Sequence, residues 1–112
     1  MKERRAAARL PFVFRVLTAK QKQFLKGLAH PLAPVVRVGR NGVTPAVVEE
    51  TKKSLLAHEL IKVRFDSDDA EERKSQAEFL AEEADAQIAG RVGKVAMVYR
   101  QREEKPKIKL PK

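Results

Sequence analysis

Residues 35–65, VVRVGRNGVTPAVVEETKKSLLAHELIKVRF, hold two β-branched stretches with an amphipathic one between them. Val35-Val36-Arg37-Val38 has the composition of a short strand. Thr44-Pro45 marks a helix start. Threonine caps the free N–H groups, and proline suits the first helical position because its missing N–H had no partner there. Val47, Val48, Thr51 and Leu55 then share one helical face, with Glu49, Glu50, Lys52 and Lys53 outward and His58 at the end. Leu60–Phe65 alternates with period two. Ile61, Val63 and Phe65 fall on one face and Lys62 and Arg64 on the other, as expected of a strand with one covered face. Strand, helix and strand joined by short loops form a crossover unit with parallel strands, which sets the class as α/β.

Working outward, Thr18 is the expected cap of a helix over AKQKQFLKGLAH (19–30), which Pro31 and Pro34 stop. Leu17, Phe24, Leu25 and Leu28 are expected on its buried face, with Lys22, Lys26 and His30 (i, i+4, i+8) as a cationic stripe opposite. On the other side, Asp66-Ser67-Asp68-Asp69 is a turn and cap cluster. With Glu71 and Glu72 it suits the positive end of a third helix. That helix is expected to run to about Ala86, with Ala77, Leu80, Ala81 and Ala84 inward and an acidic surface. Residues 87–92 and 95–100 read as a hairpin around Gly93-Lys94. The expected fold is an α/β (α+β) two-layer sandwich, with a mixed four-stranded sheet and about three helices. Residues 1–16 form a basic extension expected to be flexible, 17–100 the domain, and 101–112 a basic tail in which Ile108 and Leu110 alone have much to bury.

The 112-residue chain has 24 Lys/Arg against 15 Asp/Glu, a net charge of +9 and a pI of about 10.1, which favours a polyanionic partner. The charge is segregated. Residues 65–99 hold four basic and nine acidic residues, whereas residues 17–64 hold nine and three, so one acidic element is expected to face away from a basic surface. With no cysteine and two histidines, thiol chemistry and thiolate zinc sites are excluded, and a reducing, cytoplasmic setting is expected without cofactor or metal. No apolar run reaches the ~20 residues of a membrane span. Pro11 and Arg15 break the apolar part of the N-terminus, against a secretion signal. GRVGK (90–94) lacks the spacing and the Ser/Thr of a phosphate-binding P-loop. His58-Glu59 reads as a helix end before it reads as a general-base pair. No nucleophile, base and orienting group can be nominated together, so the chain is expected not to be an enzyme.

Gly39-Arg40-Asn41-Gly42 remains. Two glycines allow positive φ and close backbone approach, and the helix N-terminus beside them offers free N–H groups. Arg40 and Asn41 sit at the tip. A G-x-x-G loop of this kind clamps the nucleic-acid backbone in KH domains, although Asn-Gly alone is also a common turn. The nearby charges Lys22, Lys26, His30, Arg37, Lys52 and Lys53 extend the candidate surface. Aromatics are scarce at 5%. Phe12, Phe14, Phe24, Phe65 and Phe79 are assigned mostly to core or extension, and Tyr99 to an exposed strand end. Base stacking on a sheet is therefore disfavoured relative to backbone reading.

KGLAHPL (26–32), VGRNG (38–42) and HELIKV (58–63) carry a resemblance to the CRM domain (chloroplast RNA splicing and ribosome maturation) in its bacterial stand-alone, YhbY-like form. The terminal KIKLP is also similar to that family's ending. The resemblance implies a fold related to the C-terminal domain of translation initiation factor three. It also implies RNA binding through the G-x-x-G glycines, here Gly39 and Gly42, and a nearby basic helix surface. A role in ribosome assembly with precursors of the large subunit follows from it as well, and the protein is expected to act as a monomer away from membranes. The competing reading is a protein-interaction module whose basic face meets acidic protein partners.

Overall fold

The computed structural model describes residues 16–112, so the expected extension over 1–16 lies, except for Val16, outside the described residues. Among the described residues, three helices and four strands follow in the order α1 (Ala19–Ala29), β1 (Pro34–Val38), α2 (Pro45–His58), β2 (Leu60–Phe65), α3 (Ala70–Glu83), β3 (Gln87–Val92) and β4 (Val95–Tyr99). The strands form one mixed sheet in the order β1-β2-β4-β3. β1 runs parallel to β2, while β4 is antiparallel to both β2 and β3.

Each helix begins where its side chains satisfy the free N–H groups. Thr18 Oγ1 accepts the Gln21 N–H at 3.1 Å and the Gln21 side chain accepts the Thr18 N–H at 3.0 Å, a reciprocal box. Thr44 Oγ1 accepts from Val47 with Pro45 in the first turn, and Asp69 accepts from Glu71 and Glu72. α3 ends at Glu83, three residues short of Ala86. Asp85 takes φ +57, and the N–H groups of Asp85 and Ala86 turn back to the carbonyls of Glu82 and Ala81. This closure normally uses glycine, and its absence hid the stop.

The sheet has a core on each side. Ile61, Val63, Phe65, Val36, Val38, Ala96 and Val98 pack against Val48 and Leu55 of α2 and Ala77, Leu80 and Ala84 of α3. On the opposite face Leu60, Ala89, Met97 and Tyr99 pack against Leu17, Leu25 and Ala29, with Ile108 and Leu110 of the C-terminal segment beside them. The expected sheet-plus-helix layering holds for α2 and α3, and α1 with the tail adds a smaller cover on the second face. β2 therefore has two covered faces at its Leu60 end where one was expected.

α1 is rotated from its expected setting. Leu25 and Ala29 are fully buried, whereas Phe24 and Leu28 are 39% and 42% exposed. Small side chains let this helix sit close to the sheet. The Lys26 stem lies over Gly90, where an added Cβ would meet Lys26 carbons at 3.1–3.2 Å. Tyr99, expected at an exposed strand end, is buried, and Phe79, expected in the core, is half exposed. Burial and the nearby Glu59 charge push the Tyr99 hydroxyl up to about 12.

Leu55 and Leu56 offer a direct check, because the first is fully buried in the main core and its neighbour is exposed. Leu55→Ala is expected to cost about 2–5 kcal/mol in urea denaturation. Leu56→Ala should stay within about 0.5 kcal/mol of the parent.

Candidate nucleic-acid interface

Gly39-Arg40-Asn41-Gly42 closes into a tight turn, with the Gly42 N–H donating to the Gly39 carbonyl at 3.0 Å. Arg40 and Asn41 are exposed at its tip. Gly42 needs its freedom, since its φ is +74. The expectation of positive φ at both glycines is corrected for Gly39, which lies outside the left-handed region; an added Cβ there would stand 3.8 Å from Asp66 Oδ2. Val43, packed on the main core, and the Thr44 cap then lead directly into α2. The loop is thus held at both ends, by β1 and by the α2 N-terminus.

α1 covers only part of its sheet face, and a cationic strip connects it to the loop. At the α1 end, Lys62 Nζ donates to the His30 carbonyl at 3.1 Å. Arg64 follows two residues later on the same face of β2, and Arg37 of β1 lies beside it in register. Asp66, one residue past β2, accepts from Arg37 Nε at 2.9 and 3.0 Å, and Arg64 stands 3.7 Å from it. Asp66 in turn flanks Gly39. Lys62, Arg64 and Arg37 therefore form a cationic row from the C-terminal end of α1 to the turn that carries Arg40, while the Lys26 stem turns over Gly90 of β3, at the other edge of the sheet from β1. Lys62 and Arg64 were missed as candidates. Their signal was the polar face of the alternating LIKVRF, which only the position of β2 in the middle of the sheet makes relevant.

The other candidates divide. Lys22, Lys26 and His30 are exposed on α1. Arg37 is paired with Asp66 yet 72% exposed, so its terminal nitrogens remain open to solvent. Lys52 and Lys53 stand on α2, which packs on the opposite sheet face from α1, and Lys52 lies 3.8 Å from Glu49. The structure does not join these two lysines to the α1 stripe. The acidic α3 shares the α2 face, so most of its carboxylates are turned from α1 as expected. Its leading acids are the exception. The Arg37 hydrogen bond holds the Asp66 carboxyl below its ordinary range, with smaller contributions from the Arg37, Arg64 and Lys94 charges. Lys94, 2.6 Å away, does the same for Asp68. Asp66 and Asp68 are therefore each balanced by a cation in place. Glu59 of the His58-Glu59 pair is fully buried, its carboxylate bonded to three backbone N–H groups, which explains it as a structural residue.

Fold and surface define a small, strongly basic α/β domain that presents a G-x-x-G turn beside a cationic sheet face. Over residues 17–100 the chain matches the CRS1 / YhbY (CRM) domain, and it belongs to that family. It is 44% identical over 96 residues to an RNA-binding protein of Haemophilus influenzae, covering 86% of this chain and 96% of the relative. It is 34% identical over 96 residues to the Bacillus subtilis protein named "Probable RNA-binding protein YqeI", covering 86% and 100%. The solution structure of a hypothetical Staphylococcus aureus protein superposes with a TM-score of 0.77 at 31% identity, over 86% of this chain and all of that one.

Two outcomes test this geometry. Gly42→Val forces a β-branched residue to φ +74 and should destabilise the domain by about 1–3 kcal/mol in thermal melts. Asp66→Asn should destabilise at neutral pH. A carboxyl held low in the folded state stabilises above its unfolded pKa and loses that contribution as pH falls through the folded value. The difference from the parent should therefore shrink below about pH 4 and vanish once Asp66 is protonated.

Proposed function

We propose that this chain is a non-catalytic RNA-binding protein that acts in ribosome assembly, on ribosomal RNA of large-subunit precursors, as a single copy in the cytoplasm. The observation that carries RNA binding is the cationic strip of Lys62, Arg64 and Arg37, which runs from the C-terminal end of α1 to the G-x-x-G turn. Such a strip fits a sugar-phosphate backbone, because cations spread along a line neutralise successive phosphates. The RNA-binding relatives support the class of ligand. The ribosomal assignment rests on the family resemblance. Arg40 supplies the guanidinium fork at the loop tip, and Lys22, Lys26 and His30 supply charge along α1. Lys52 and Lys53, on the helix that packs against the other sheet face, take a secondary place.

Arg40→Glu is expected to weaken RNA binding about tenfold or more and to lower the slope of log affinity against log salt by about one. Filter binding at four salt concentrations measures both. Equal affinities for parent and variant across the series would remove the loop from the interface. Sucrose-gradient profiling should place the protein with immature large-subunit particles, and nuclease treatment should release it. Retention of acidic protein partners after nuclease would favour the protein-interaction reading instead.

A further inference from the structure

The C-terminal segment is fixed on the domain by a buried charge. Glu59 sits between α2 and β2 at φ +65, fully buried. Its carboxylate accepts the Arg102 N–H at 2.8 Å on one oxygen and the Lys107 and Ile108 N–H groups at 2.7 Å on the other. Among the described residues no cationic side chain pairs with it. Burying an unpaired carboxylate is costly, and three charge-assisted N–H bonds offset that cost only while the tail stays in place. The tail is shaped to do so. Lys105 takes φ +53, its carbonyl accepts from Arg102 Nη2 at 3.0 Å, and the chain returns so that both ends meet one side chain. Arg102 Nη1 also donates to the Leu56 carbonyl at the end of α2. Farther on, Ile108 and Leu110 enter the second core, and Gln21 Nε2 donates to the Pro111 carbonyl at 3.0 Å.

This anchoring has a directional result. Ile108 and Leu110 are partly buried, while Lys107, Lys109 and Lys112 are exposed. Their ammonium groups make no ion pair with another described residue. Through the Gln21 contact the tail runs against the first turns of α1, where Lys20 and Lys22 are exposed. The G-x-x-G turn lies at the Phe65 end of β2 and the tail at the Leu60 end, so the α1 side carries cations at both ends of the sheet.

We propose that Lys107, Lys109 and Lys112 form a second phosphate-binding arm, held beside α1 by Glu59, so that one RNA backbone is contacted at both ends of the sheet. This rests on the RNA-binding reading above and extends its footprint. A tail ordered before binding avoids the ordering cost that a free basic tail meets on contact.

The test is RNA binding across a salt series with the combined variant Lys107→Gln, Lys109→Gln, Lys112→Gln, whose positions all point to solvent. The expected result is a salt slope lower by about two to three and an affinity loss of roughly tenfold or more at 0.1 M salt. The control Lys74→Gln, on the exposed surface of α3, should match the parent. A triple variant that keeps parental affinity and slope, while Arg40→Glu still loses binding, overturns the arm and leaves the RNA-binding reading intact. A parent protein that binds no RNA overturns that reading itself. Glu59→Gln, with the lysines untouched, separates charge from placement. It should free the Arg102, Lys107 and Ile108 amides to exchange and reproduce part of the loss. Parental affinity with those amides exchanging freely would overturn the role given to Glu59.

Discussion

β2 is constrained on every side, and the rest of the molecule is arranged around that fact. Its backbone pairs with β1 on one edge and β4 on the other. Ile61, Val63 and Phe65 fill the main core and Leu60 the smaller one. Full burial of such side chains is worth about 1.5–3 kcal/mol each, so this strand alone supplies a large part of the stability. Because neighbouring side chains on a strand point to opposite faces, fixing those apolar residues also fixes Lys62 and Arg64 on the α1 side. A one-residue slip would bury two cations and expose three large hydrophobes. The same six residues thus decide the core and the charge of one surface.

What the sequence showed clearly were features set by local chemistry. Thr18, Thr44 and Asp69 announce three helix starts, Gly93-Lys94 the hairpin, and the alternation in LIKVRF the central strand. The rotation of α1 was not legible. Phe24-Leu25 and Leu28-Ala29 allow two apolar faces, and the choice was made by close approach to Gly90, which lies 61 residues or more along the chain. The α3 stop was hidden because Asp85 takes the position glycine usually signals. In the candidate site, the turn and the α1 stripe could be read directly. The link between them could not, since Lys62 and Arg64 join the surface only through sheet order. Nor did the sequence separate Lys52 and Lys53 from the α1 lysines, because both helices carry exposed lysines and only packing places them on opposite faces.

Two carboxylates near the ends of β2 illustrate how placement decides the role of a charge. Glu59 is removed from water and satisfied by neutral N–H groups, so it organises the backbone around it. Asp66 stays at the surface and is balanced by guanidinium groups, so it orients Arg37 while cancelling part of its charge. The first shapes the chain and the second tunes the field beside the G-x-x-G turn. Tyr99, next to Glu59 and deep in the second core, stays a neutral phenol throughout the physiological range.

The two outer strands are both irregular. β1 opens with Pro34 and carries an extra residue between Pro34 and Val36, and β3 has a similar interruption between Ile88 and Gly90. Proline offers no amide hydrogen, and a bulge puts the outward-facing carbonyls and amides out of step with any straight incoming strand. The sheet is therefore poorly templated for lateral growth. A highly concentrated solution of this protein should resist the edge-to-edge stacking that leads small open sheets into fibrils.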